Sequence, residues 1–151
     1  MRNRQLQVLF ICNLLVFSTS NGLLPLLPVY AVDLGATPTL VGGLMAFAYL
    51  TLTSGTLMTR TLIRRFRNPR RLFVSMSLMC AILMTTLGMV ATIWQLAVVM
   101  ATLWFCGGIV IALIAVFTGI NTDKTNRGRV FGFMYLALPL GALLGGATIG
   151  G

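Results

Sequence analysis

The stretch from Arg60 to Arg71 constrains this chain more than any other. It holds six arginines, more than half of the eleven basic residues present, and apolar runs of about membrane-spanning length flank it on both sides. A single Arg at the centre of a bilayer costs about 2.5–3.5 kcal/mol, so six would cost on the order of 15 kcal/mol or more. The stretch therefore stays in water or among headgroups. Short basic loops are retained in the cytoplasm, so it fixes the direction in which the neighbouring segments run.

The rest of the composition agrees. The chain is 58% hydrophobic and 9% charged, with only Asp33 and Asp123 as acids and no His. A soluble domain is closer to a quarter charged, so too few polar residues are present to cover a soluble surface. A polytopic helical membrane protein results, an all-α bundle whose apolar surface is covered largely by lipid. The net charge of +9 does not point to nucleic acid, because the cations sit in short loops between apolar runs rather than on a folded polar face. Anionic lipid headgroups are the expected partner, at about 1 kcal/mol per basic residue near the surface. Cys12, Cys80 and Cys106 all fall in apolar runs, without metal-ligand spacing, and read as small hydrophobes. No metal or other cofactor is expected.

Five spans are predicted, at about residues 6–30, 40–58, 72–90, 95–119 and 130–151. Each is long enough for a ~30 Å hydrocarbon core. Charge tests this count. With five spans, the amino-terminal tip, the arginine loop and the loop from Asn121 to Arg129 share one side and hold all eleven basic residues. The two loops on the other side hold only Asp33. The bias places the amino terminus in the cytoplasm and the protein in the cell membrane. Span five ends at Gly151 with no polar anchor, so the chain is expected to be a portion of a longer protein.

Three local patterns resemble the major facilitator superfamily of secondary transporters. After span two, Gly55-Thr-Leu-Met-Thr59-Arg60 opens a segment that continues with Arg64, Arg65, Arg70 and Arg71, similar to the family's gating-loop motif. It departs from that motif at Thr59, where the family has Asp, and lacks its second Gly; the alternative is a plain topogenic basic loop. In span five, Gly132, Gly141, Gly145, Gly146 and Gly150 fall on the spacing of the family's antiporter motif, with Gly146 in place of its Pro and Ile149 in place of a Gly. Rows of glycine four apart let another helix backbone approach closely, and Pro139 should bend the span; ordinary small-residue packing is the alternative. Span one and its exit, with Pro25, Pro28, Tyr30, Asp33 and Gly35, resemble the family's first hairpin. The resemblance implies most of one amino-terminal half of a two-half, twelve-helix transporter, with carboxy-terminal helices or a partner membrane protein completing it. It also implies a small-molecule substrate, with efflux suggested by span five.

Chemistry at membrane depth is carried by polar groups that face a cavity. Asn13, Phe17, Ser20 and Asn21 share one face of span one. Tyr49 and Thr53 lie four apart on span two, and Thr102 and Cys106 lie four apart on span four, with Trp104 on another face. These are the substrate-pathway candidates; for each polar one the alternative is local hydrogen bonding. No Asp, Glu, His, Lys or Arg lies in any predicted span, and Leu103 stands where the family's fourth span often carries Arg. These spans thus offer no proton carrier and no acid–base pair for an intramembrane enzyme. Two readings remain: a transporter working by alternating access, or a small membrane scaffold that binds partner helices through its glycine faces.

Overall fold

The computed structural model describes residues 2–66, 68–122 and 125–149, with side chains for all of these except residues 2–6, 21, 146, 148 and 149. Arg67, Asp123 and Lys124 lie outside it. Seven helices follow one another: α1 (Arg2–Leu23), α2 (Leu26–Asp33), α3 (Pro38–Phe66), α4 (Pro69–Leu87), α5 (Ile93–Ile120), α6 (Arg127–Tyr135) and α7 (Ala137–Ile149). No strand occurs among the described residues. Pro38–Phe66, Pro69–Leu87, Ile93–Ile120 and Arg127–Gly145 are long and apolar enough to cross a membrane, and Gln7–Ser20 is a shorter apolar helical stretch. Large apolar side chains such as Leu57 and Leu143 are exposed along them, as lipid requires.

Three boundaries differ from the predicted spans. Span one is not continuous: α1 ends at Leu23 and α2 begins at Leu26. Pro25 has no N–H to give to the preceding turn, so the chain turns there. Pro28 falls in the first turn of α2, where no donor is needed. Span two runs on as helix to Phe66 and α4 starts at Pro69, so Arg60, Arg64, Arg65, Arg70 and Arg71 are helical and the predicted loop shrinks to the two positions between α3 and α4. Arg64 and Arg65 occupy the final turn of α3, where cations complement the helix dipole. Span five is interrupted at Leu136. Pro139 leaves the carbonyl of Tyr135 without its usual donor.

The residues form two compact units, Met1–Pro28 with Ile114–Gly151, and Val29–Leu113. In the first, α7 packs along α1, and the rings of Phe10 and Phe133 meet with centroids 4.7 Å apart. The end of α5 is closed by its own polar side chains: Thr118 donates to the Ile114 carbonyl, Asn121 to Phe117, and Thr122 to Thr118. The Arg127 guanidinium adds a bond to the Gly119 carbonyl at 3.1 Å, a cation at a helix C-terminus.

The second unit is organised by caps and one close helix pair. Gly35, at φ 86°, ends α2 in the left-handed conformation that glycine adopts without a Cβ penalty. Gly35 N–H donates to Val32 and Ala36 N–H to Ala31, the paired bonds of a Schellman end. The Tyr30 hydroxyl donates to the Val90 carbonyl, tying α2 to the hairpin between α4 and α5. That hairpin starts α5 with Thr92 Oγ1 accepting from Gln95 N–H while Gln95 Oε1 accepts from Ala91 N–H, close to a capping box. Asn68 caps α4 by accepting from Arg70 and Arg71 N–H, with Pro69 in the first turn.

Candidate functional site

Each unit holds its own share of the candidate residues. In the first, Asn13 is buried and its Nδ2 donates to the Met134 carbonyl at 2.9 Å. That carbonyl lies near the end of α6, two residues before the break at Leu136. Asn13 therefore ties α1 to the end of α6. A Cβ placed on Gly141 would sit 2.8 Å from both Phe17 Cβ and Ser18 N, and one on Gly145 would sit 2.9 Å from Gly22 N. Real Cβ contacts are not that short, so both glycines let the backbone of α7 rest on α1. Ser20 is half-buried and its carbonyl accepts from Leu24 N–H. Gly132 is exposed, with open space where a Cβ would stand. Asn21 and Gly146 are helical, but their surroundings lie outside the described residues, as Gly150 does altogether.

The Asn13 bond carries a measurable consequence. Hydrogen bonds between membrane helices average about 0.6 kcal/mol and reach about 1.7. Replacing Asn13 with Leu is expected to lower stability by about 1 kcal/mol, read by denaturant unfolding in detergent micelles. Asn13→Leu with unchanged stability would mean that the bond contributes nothing.

In the second unit, α3 and α5 meet through reciprocal glycines. A Cβ on Gly55 would press on the Phe105 carbonyl, and one on Gly108 would press on the Leu52 carbonyl and sit 3.1 Å from Thr56 N. The Thr56 hydroxyl donates across the contact to the Gly108 carbonyl at 3.3 Å. Thr59, which holds the motif's Asp position, is buried, and its hydroxyl donates to the Gly55 carbonyl at 2.9 Å. It is neutral, so it offers Arg60 no ion pair. Arg60, Arg64, Arg65, Arg70 and Arg71 are all exposed.

The pathway candidates here divide by partner. Thr53 donates to the Tyr49 carbonyl and Thr102 to the Val98 carbonyl, each within its own helix, so their hydroxyls are engaged locally. Cys106 is buried and carries a free thiol. The Tyr49 ring meets Trp104, with centroids 5.4 Å apart. The structure thus adds three residues to the candidates. Gly22 and Gly108 are the backbone partners of the motif glycines, signalled only weakly by Ser18–Gly22 spacing and the Gly107–Gly108 pair. Trp104 joins Tyr49, which helical spacing within one span does not disclose.

Comparison with curated proteins and with solved structures finds no significant match. The model of the Major Facilitator Superfamily matches residues 9–151, which takes in both glycine contacts, the arginine segment and the broken fifth span. With nearly the whole length covered, the chain belongs to the major facilitator superfamily, a family of membrane transporters.

Proposed function

We propose that these helices belong to the amino-terminal half of a transporter that moves a small neutral or amphipathic solute by alternating access, with a site near mid-membrane exposed to each side in turn. The observation that carries this reading is the seating of α7 on α1 through Gly141 and Gly145, just after the helix interruption at Leu136, with Asn13 bonded to the Met134 carbonyl two residues before it. A close contact made mostly of backbone, next to an interruption in the helix, lets one helix pivot on another with little repacking of side chains. Efflux is the proposed direction, supported by the antiporter-like glycine spacing of the same segment.

The arginine-bearing ends face the cytoplasm in this reading, against anionic headgroups of the cell membrane. No Asp, Glu, His, Lys or Arg lies in the predicted spans, so transport is facilitated, coupled to another ion, or coupled through helices beyond these. No enzymatic activity is proposed. The test is flux: the protein expressed from its gene and reconstituted in vesicles should move at least one of a broad panel of small solutes with saturable kinetics. Absence of flux across the panel would overturn the reading. Labelling of cysteines introduced at Arg64 and Trp94 should report opposite sides of the membrane; the same side for both would overturn the orientation.

A further inference from the structure

Tyr49 and Trp104 are placed where an interfacial anchor does not belong. Each lies eleven residues into its helix, counted from Pro38 of α3 and from Ile93 of α5. At 1.5 Å per residue that is about 16 Å, half of a ~30 Å hydrocarbon core. Trp94, at the hairpin, is where an aromatic belt residue sits; Trp104 is not.

The polar ends of the pair are unspent. Among the described residues, no buried side-chain polar atom lacks a hydrogen-bond partner. Yet the Tyr49 hydroxyl and the Trp104 Nε1–H, both on partly exposed side chains, have no hydrogen bond within the described residues. Facing hydrocarbon, two such donors would each carry a desolvation penalty. Facing a solute pathway, they are available. Trp Nε1–H can only donate, and the Tyr hydroxyl donates as readily as it accepts. The rings are inclined at 55°, so they do not stack face to face on one another and ring surface stays open for a third ring. No acid lies nearby in either helix, so nothing there requires the occupant to be a cation.

We infer that Tyr49 and Trp104 form the solute-recognition notch of this unit, and that the solute it takes is flat, aromatic and neutral, with a hydrogen-bond acceptor at its edge. The inference rests on the transporter reading for the purpose of the notch, but its test measures binding and needs no turnover.

The probe is acridine at mildly alkaline pH, a flat neutral ring system with one ring-nitrogen acceptor, compared with anthracene, which has the same shape and no acceptor. The reporter is Trp104 fluorescence of the full chain in lipid nanodiscs, with Trp94→Phe removing the other Trp. Acridine should quench Trp104 saturably and more tightly than anthracene. Tyr49→Ala should weaken acridine about tenfold. Tyr49→Phe, which keeps the ring, should keep most of the affinity and narrow the gap between the two probes. Each variant is first shown to be monodisperse, and if Tyr49→Ala does not fold, Tyr49→Phe decides. Quenching that never saturates, or that neither variant changes, would overturn the inference and place the pair against lipid. Saturable binding without flux of any solute would sink the transporter reading alone. Flux of unrelated solutes without saturable quenching would sink the notch alone.

Discussion

Gly55→Leu is expected to leave little folded protein. The α3–α5 contact is made of backbone on both sides. A Cβ at position 55 would lie on the Phe105 carbonyl oxygen and 3.0 Å from its carbon. Neither atom belongs to a side chain that can rotate away, so the helices must separate. Separation loses the matching contact at Gly108 and the Thr56 bond to its carbonyl. Overpacking a tight site costs about 1–3 kcal/mol and sometimes more; with no side chain able to yield, about 3 kcal/mol or more is expected here. Stabilities of about 5–15 kcal/mol make that a visible fall in monodisperse protein recovered in detergent. Gly42→Leu, where nothing lies within 4 Å of a Cβ, should behave as wild type. The double variant Gly55→Leu with Gly108→Leu should cost less than the sum of the two, because the first wedge opens the site for the second. Normal recovery of Gly55→Leu would show that α3 and α5 do not approach this closely.

What the sequence discloses follows from the range of each force. The penalty for charge in hydrocarbon acts on any Arg regardless of its neighbours, so helical class and the outer limits of the apolar runs are legible from Arg60 to Arg71 alone. Proline and glycine act over one turn. Pro139 signals an irregular turn in span five, where the helix is interrupted at Leu136, and Gly35 an end to α2, before any packing is known. Pro25 carries the same kind of signal, but reading 6–30 as one apolar run weighed hydropathy over backbone chemistry, and the chain turns at that proline. Helix can also outlast the membrane: α3 continues through Arg65 because Arg favours helix and suits a C-terminal turn, whereas a hydropathy boundary reports only the lipid. Partners on other helices are the least legible. Gly141 and Gly145 announce a smooth face, but that Phe17, Ser18 and Gly22 lie beneath it depends on how α1 and α7 cross. Likewise, that Tyr49 finds Trp104 while Thr53 and Thr102 bond within their own helices depends on rotation about two helix axes, which no single span encodes.

Gly145→Leu separates the two functions that remain open to the glycine face. A Cβ at this position would press on the Ser18 carbonyl and come within 2.9 Å of Gly22 N and 3.1 Å of Gly22 Cα. The obstacle is again backbone, but here α7 also follows the helix interruption at Leu136, so the segment can tilt away rather than unfold. Folded protein should therefore survive better than in Gly55→Leu, while α7 loses its seat on α1. If this seat is the pivot of alternating access, flux through reconstituted vesicles should fall by more than about tenfold, equivalent to about 1.4 kcal/mol on the barrier, at nearly wild-type recovery. Gly132→Leu, exposed on α6 with open space where its Cβ would stand, should leave flux unchanged and serves as the matched control. A scaffold predicts the reverse pattern. Its glycine face would exist to seat a helix of another protein, so Gly145→Leu would abolish a defined complex while wild-type protein showed no flux to lose. Unchanged flux in folded Gly145→Leu vesicles would remove the pivot from the mechanism, since no rearrangement of side chains can restore a backbone contact that a leucine occupies.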